Sequence, residues 1–471
     1  MDRSGERDGR QWAAAWRRFR SNGGIDLAGN PPLRRIPGRV QEIAASAVKE
    51  STLSAATTSM AQKRKIRVLI IDQATAFGGS IVVAARLQRA LDPSKVESQV
   101  ISEMDPELLR SQFGEWGKFK VIRHFFSYAD HARIMRWLSR MPMRGLITRP
   151  VMYVMFLFST SVNAVYTWRV GLRIVREKID VVHLNNGLDN SEAALVAWLL
   201  GRRFLVHAHG PSNFGILRRF LARRAHGFVA VSTHIKEGLV QEGIPEQLIE
   251  VMPNPVEVMM IDCPAARAVR ARYGLRPEQQ VFGIFGRIVG WKGHREFVLA
   301  ASDVLRCMPE AVAVVVGDVS DGDRKLWDEL HDLVRQQKLE DRFIFTGYIA
   351  KVVEMYGIMD VVVHASIRPE PFGLVITEAM ACGIPVVASN LGAPREIIDD
   401  GKDGLIVDPK DTPALARAIQ ALLTDERLRS KMGDLARRKV LAKYNADEYA
   451  RRMEQVYRRV MRDNRVHRAS R

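Results

Sequence analysis

From Lys65 onward the chain follows a rhythm that few folds accommodate: short β-branched runs, each followed by a stretch with helical spacing. One series comprises "IRVLIID" (66–72), "VESQVIS" (96–102), "IDVVHLNN" (179–186), "RFLVHAHG" (203–210) and "GFVAVS" (227–232). A second comprises "VFGIFG" (281–286), "AVAVVVGD" (311–318), "RFIFTG" (342–347), "DVVVHAS" (360–366), "IPVVAS" (384–389) and "DGLIVD" (403–408). Strands this continuously apolar belong to parallel sheets covered by helices on both faces. The expected fold class is α/β, with two doubly wound, Rossmann-like domains in tandem. A chain of 471 residues, 47% hydrophobic, is too long for one ordinary core and too apolar for disorder, which agrees with two domains.

Between the series, "VMPNPVE" (251–257) sets two prolines around Asn254, breaks strand and helix alike, and suits an interdomain crossing. The expected organisation is a loose basic tail (1–62), an N-terminal Rossmann-like domain (63–255) with a basic, apolar insert (114–178), a C-terminal Rossmann-like domain (256–440), and a basic helix and tail (441–471). Met60 lies just before the first strand, where the folded part is expected to begin. Two such sheets face each other across a cleft at the carboxyl ends of their strands, where open α/β sheets bind ligands.

The net charge of +18 is unevenly placed. Residues 1–65, 114–178 and 437–471 carry +7, +9 and +8, so the remainder is acidic at about −6. No helix-turn-helix, zinc-finger or RNA-recognition pattern accompanies the basic stretches, which argues against a nucleic-acid partner. An anionic membrane surface is the partner expected for the insert, since each Lys or Arg near the headgroups contributes roughly 1 kcal/mol. Its uncharged run from Val151 to Trp168 includes Ser159, Thr160, Ser161 and Asn163. It reads first as a buried core helix, then as an interfacial helix, and least as a membrane span. Cys263, Cys307 and Cys382 are scattered without metal-site spacing, and the N-terminus lacks a secretory apolar core, so a cytoplasmic setting follows, peripheral to the inner face of the membrane if the insert binds lipid. The last segment, "EYARRMEQVYRRVMRDNRVHRASR", reads as a packing helix with a solvated face.

Candidate chemistry centres on "RPEPFGLVITEAMACGIPVVAS" (368–389). Apolar residues at helical spacing predict a helix from about Gly373 to Gly383. The amides of Phe372, Gly373 and Leu374 then lie unpaired at its N-terminus, where an anion is welcome. Glu370 precedes that turn and Glu378 lies about one helical turn inside. Carboxylates beside a phosphate repel it, so their natural partners are hydroxyls, and a phosphate flanked by two polyols is a nucleotide sugar. Taken singly, either glutamate reads as a solvated charge; it is their joint placement around the turn that argues for a site. The Gly-rich loop "FGRIVGWKG" (285–293) offers Arg287 and Lys292 to a diphosphate on which charge grows as it leaves. "TAFGGS" (75–80) offers Gly78 and Gly79 for close backbone approach, a weak signal alone. "DGD" at 321–323 follows a strand and reads as a polar turn rather than a metal site.

Over roughly residues 65–460 the chain resembles the retaining family-4 glycosyltransferases of the GT-B fold, through the E-x7-E pattern with its Pro-Phe-Gly and "EAMACGIPVVAS", the "GRIVGWKG" loop, "FTGYI" and "VMPNPVE"; the N-terminal half matches mainly in "GGS", "DVVHLNN" and "HAHG". The resemblance implies transfer from a UDP- or GDP-sugar with retention at the anomeric carbon, no bound metal and no cofactor beyond the donor itself. It assigns Glu378 to the ribose hydroxyls, Glu370 to the donor-sugar hydroxyls, and Arg287 and Lys292 to the diphosphate. Phe372, Gly373 and Leu374 grip the sugar and phosphate, and Ile349 lies beside the base. His209 reaches the donor sugar, preferred over His207 because it ends the strand, and Gly78 and Gly79 admit the diphosphate. Pro255 stands where the common text has glycine, and the insert exceeds what simple members carry. No clear carboxylate nucleophile appears in the first domain, which favours a front-face reaction in which the leaving phosphate takes the acceptor's proton.

The expected function is therefore a transferase acting on a lipid-linked or polysaccharide acceptor in bacterial cell-surface glycan synthesis. The alternatives are a soluble transferase with a small acceptor and a non-catalytic nucleotide-sugar-binding scaffold. Intact Glu370, Glu378, Arg287 and Lys292 count against the scaffold.

Overall fold

The computed structural model describes residues 64–73, 78–114, 117–124, 163–189, 191–257, 261–319 and 323–463. The expectations for the tail 1–62, Met60, Thr75–Phe77, residues 151–162 of the apolar run, the Asp321–Gly322 part of the polar turn and the tail beyond 463 lie outside these residues.

The rhythm folds into two parallel sheets. The first contains β1 (Ile66–Asp72), β2 (Val96–Ser102), β3 (Phe119–Val121), β4 (Val181–Leu188), β5 (Arg203–Ala208), β6 (Gly227–Ala230) and β7 (Ile249–Val251), in the order β3-β2-β1-β4-β5-β6-β7. The second contains β8 (Val281–Phe285), β9 (Val312–Val316), β10 (Phe343–Phe345), β11 (Val361–His364), β12 (Val386–Ser389) and β13 (Leu405–Val407), in the order β10-β9-β8-β11-β12-β13. Central strands β1, β4, β8 and β11 are fully or almost fully buried, as continuous apolar runs require. Two strands were absent from the predicted series: β3 ("FKV") and β7 ("IEV") are three residues long, carry a charge at the centre and sit at the edges of the first sheet. At an edge, pairing on one side suffices, so no apolar signature is needed.

In both sheets the chain changes direction at the middle, between β1 and β4 and between β8 and β11. Carboxyl ends at such switch points splay the following loops apart and leave room for a ligand.

Four helices position what lies there: α1 (Gly79–Ala90), α2 (His294–Cys307), α3 (Leu374–Ala381) and α4 (Ala446–Arg462). Asn445 caps α4 by accepting from the amides of Asp447 and Glu448 at 2.8 and 3.1 Å, and both acids favour the positive end of the helix. Tyr449, Met453, Val456, Tyr457 and Val460 of α4 are buried with residues of α1 and the first sheet. At roughly 1.5–3 kcal/mol per buried side chain, that face holds the last helix firmly on the first domain. No helix of the described residues is long and apolar enough to cross a membrane.

Candidate active site

In the second domain the loop after β8 and the loop after β11 press together. Gly293 has φ 75°, and a Cβ there would lie 1.8 Å from the Ala365 carbonyl oxygen, so only glycine permits this approach. Trp291 O accepts from Ile367 N at 2.9 Å, closing the same contact. Lys292 is thereby aimed at the 365–373 loop, where its Nζ donates to Glu370 Oε2 at 2.7 Å and lies 4.3 Å from the Trp291 ring centroid. Glu370 Oε2 also accepts from Ser366 Oγ at 2.9 Å and contacts His364 Nε2 at 3.0 Å. Oε1 takes none of these bonds. Burial opposes ionisation of Glu370, but the Lys292 charge and the His364 contact outweigh it and hold the carboxyl well below its ordinary range. The sequence assigned Glu370 and Lys292 to different parts of a donor; the structure pairs them with each other. Arg287, by contrast, is exposed and makes no ion pair with a described residue.

Gly373, at φ 100°, precedes α3 at the expected turn, and the amides of Phe372, Gly373 and Leu374 donate no loop or capping bond among the described residues. Phe372 is buried with its ring edge-on to Tyr444 at 5.9 Å. Ile349 is half-buried beyond β10. Glu378 is not a solvated helix charge. Its Oε1 accepts from Arg86 Nη2 of α1 at 2.7 Å and its Oε2 from Tyr356 OH at 3.2 Å. Burial and the Glu378 charge push the Tyr356 phenol well above its ordinary value, so it remains a donor.

In the first domain Gly78 and Gly79 open α1, and a Cβ on Gly79 would lie 2.8 Å from Leu374 Cδ1. The two helix starts therefore touch across the cleft. Ser232 Oγ donates to Pro371 O at 2.7 Å, and the amides of Thr233 and His234 donate to Glu396 at 2.8 and 3.0 Å. His209 follows directly on the carboxyl end of β5 and contacts Asn185 Oδ1 through Nε2 at 3.3 Å. The same Asn185 gives its amide nitrogen to Asp72 at 2.7 Å and to Ser80 O at 3.0 Å. Since that nitrogen is the donor, Oδ1 faces His209 and must accept, which assigns the imidazole proton to Nε2. Burial pushes His209 down to about 3, so it is neutral at physiological pH. His207 lies tilted against His209, ring centroids 4.1 Å apart, and contacts His183 at 3.2 Å; His183 in turn contacts Tyr457 OH of α4 at 2.8 Å.

Sequence reasoning missed Asp72, Arg86, Asn185, His183 and Tyr356. For Asp72, Asn185 and His183 a signal existed: each is a polar residue in an otherwise apolar strand, and buried polar groups need partners. Arg86 and Tyr356 had none. No group of His, Cys, Asp and Glu among the described residues is arranged to hold a metal ion.

Two Rossmann-like domains with carboxylates, cations and helix starts at their switch points define a GT-B glycosyltransferase. The chain belongs to glycosyltransferase family 4: the Glycosyl transferases group 1 profile matches residues 266–439 and the Glycosyltransferase Family 4 profile residues 77–259. It is 34% identical over 248 residues to the lipopolysaccharide core biosynthesis mannosyltransferase LpcC of Rhizobium leguminosarum bv. viciae, covering 52% of this chain and 68% of that one. It is 27% identical over 402 residues to the 2-deoxystreptamine N-acetyl-D-glucosaminyltransferase of Streptomyces fradiae, covering 80% of this chain and 90% of that one. Among solved structures, Anabaena Alr3699/HepE, crystallised with UDP and glucose, superposes with a TM-score of 0.68 at 22% identity over 83% of this chain and 99% of that one.

Proposed function

We propose that this glycosyltransferase moves a hexose from a UDP- or GDP-sugar to a lipid-linked or polysaccharide acceptor, with retention and without a metal ion, in bacterial cell-surface glycan synthesis. One observation carries the donor half of this reading: Glu370 and Glu378 lie on either side of the glycine start of α3, whose first amides are unengaged among the described residues, with Lys292 and Arg287 on the loop opposite. That set matches hydroxyl, phosphate and hydroxyl in sequence along one ligand. The anomeric carbon–oxygen bond breaks, the diphosphate departs with its electron pair, and the acceptor hydroxyl attacks from the same face and passes its proton to the leaving phosphate oxygen. Lys292, Arg287 and the helix start stabilise the charge that grows on the diphosphate, the role a divalent cation would otherwise fill. Neutral His209, its Nε2 proton directed at Asn185, keeps Nδ1 to accept a hydrogen bond from the donor sugar without adding charge.

The UDP bound by HepE and the core-glycan role named for LpcC support this donor and acceptor class. A surface feature supports a membrane-held acceptor. The helix Ala164–Arg176 exposes Val165 and Trp168 beside Arg169, the helix Ile216–Ala222 exposes Ile216 and Leu217 beside Arg218 and Arg219, and both pack on the helix Ser191–Leu199. Apolar side chains rimmed by arginines suit an anionic bilayer at the cytoplasmic face. The aminocyclitol named for the Streptomyces relative supports the second reading, a small soluble acceptor.

The donor test is a thermal-shift panel of UDP, GDP and their sugar conjugates with chelator present, on the wild type and Glu378→Ala. A ligand at 100 times its dissociation constant adds about 2.7 kcal/mol. Stabilisation by one nucleotide family, lost in Glu378→Ala, is the expected result; no response to any nucleotide refutes the donor assignment. The acceptor test is sedimentation with phosphatidylglycerol vesicles at low salt. Binding that Trp168→Asp and Ile216→Asp both abolish supports the membrane acceptor, and no binding transfers the argument to the small acceptor.

A further inference from the structure

Arg86 joins three parts of the molecule: the first domain, the interdomain crossing and the second domain. It stands on α1, in the first domain, with its residue surface 4% exposed. Nη1 donates to the carbonyl of Pro255, in the interdomain crossing, at 2.9 Å, and Nη2 to Glu378 Oε1, on α3 of the second domain, at 2.7 Å. Nε, also buried, has no hydrogen-bond partner among the described residues.

Stability does not account for this arrangement. Removing an arginine and a carboxylate from water costs several kcal/mol per ion, and apolar residues of similar volume are often as stable or more so. The unpartnered Nε adds to that cost. Geometry points to the ligand side of Glu378 instead. Each carboxylate oxygen accepts two hydrogen bonds. Arg86 occupies one position on Oε1 and Tyr356 one on Oε2, which leaves one on each oxygen, the requirement for two neighbouring hydroxyls. The Pro255 carbonyl holds the guanidinium from the far side, so Arg86 is part of the frame and has no need to swing away when a ligand arrives. The contact also depends on the domains being docked. Gly79 and Arg86 are seven residues apart on one face of α1, Leu374 and Glu378 four apart on one face of α3, and Gly79 meets Leu374 where a Cβ would be too close.

We infer that Arg86 is a positioning residue for the donor: it orients the Glu378 carboxylate toward the two ribose hydroxyls and makes that grip available only when the domains are closed. The inference rests on Glu378 as the ribose ligand, and the experiment separates the two. The readout is the ratio of dissociation constants for the 2′-deoxy and ribo forms of whichever of UDP and GDP the full-length wild type binds, measured by calorimetry. Glu378→Ala tests the underlying reading and brings the ratio close to one; a ratio unchanged from wild type refutes the ribose assignment itself. With that established, Arg86→Met lowers the ratio at least 5-fold, raises donor KM more than it lowers kcat, and has little further effect when combined with Glu378→Ala. An unchanged ratio in Arg86→Met, beside a collapsed one in Glu378→Ala, overturns the role of Arg86 alone. Arg86→Lys keeps the charge but offers one nitrogen where the guanidinium sets Nη1 on Pro255 and Nη2 on Glu378, so it fixes the carboxylate less well and retains part of the discrimination. If Arg86→Met does not fold, Arg86→Lys decides: a ratio equal to wild type overturns the inference and an intermediate one upholds it.

Discussion

Lys292 and Glu370 share one hydrogen bond but serve different ends of the proposed chemistry, and a single substitution separates them. Lys292→Met leaves the buried Glu370 carboxylate with His364 and Ser366 only. Removing the lysine takes away the leading influence that holds Glu370 ionised against burial, so its proton affinity rises. In the wild type Glu370 stays ionised throughout pH 5–8 and contributes no limb to the pH profile. In Lys292→Met kcat falls about 10²–10³-fold from lost charge stabilisation. The remaining activity also declines as pH drops from 7 toward 5, as Glu370 takes up a proton. A kcat/KM profile of both proteins checks this, and a flat profile for the variant would mean that Lys292 is not what holds the carboxyl ionised. His209 makes the complementary case: with its proton affinity pushed down to about 3 by burial, it adds no limb near 6.5, so His209→Gln lowers activity by a constant factor across pH 5–8.

At the scale of elements, the turn glycines decide whether the loops reach the site. Gly293→Ala puts a methyl group 1.8 Å from the Ala365 carbonyl at a positive φ, so the Lys292 loop must lift away from β11. The expected cost is about 2–4 kcal/mol of stability by denaturant unfolding, with nucleotide affinity lost in whatever fraction remains folded. Gly290→Ala is the control, since nothing lies within 4 Å of a Cβ there. These glycines also show why part of the site was legible in the sequence. The Gly373 turn, the two glutamates and the Lys292 loop are local: each element carries its own start signal, and the periodicity of α3 sets Glu378 one turn from the amides. The central strands were legible for the same reason, because burial on both faces leaves a continuous apolar run. The short edge strands β3 and β7 were not, since one-sided pairing imposes no pattern. Arg86 was not legible either. On α1 it reads as one more basic residue among "VVAARLQRA", and only the docking of α1 on α3, from residues almost 300 positions apart, turns it toward a carboxylate.

The whole molecule closes through residues from opposite ends of the folded chain. Tyr457 on α4 reaches β4 of the first sheet, where its hydroxyl hydrogen-bonds with His183 Nδ1, and His207 lies beside it. His183 and His207 are fully buried, as is His294 in the first turn of α2. Burial pushes His183 and His294 each down to about 3 and His207 well below its ordinary value, with the Lys292 charge assisting at His294. These three imidazoles are neutral when folded, yet protonate near pH 6.5 when the chain unfolds. Below pH 6.5 the unfolded state therefore binds more protons, so stability is complete above that pH and falls as pH drops toward the folded values. Each histidine contributes up to about 1.4 kcal/mol per pH unit, so the three together can remove roughly 4 kcal/mol between pH 6 and 5. That is a large part of a typical margin of about 5–15 kcal/mol. Urea unfolding of the wild type at pH 8, 7, 6 and 5 should show a plateau followed by a steep fall. His183→Asn, which keeps a polar partner for Tyr457 but cannot titrate, should lower the slope by about one proton. A wild-type curve that is flat from pH 8 to 5 would mean that these histidines reach solvent, and that α4 does not seal the first sheet as the buried Tyr457–His183 contact requires.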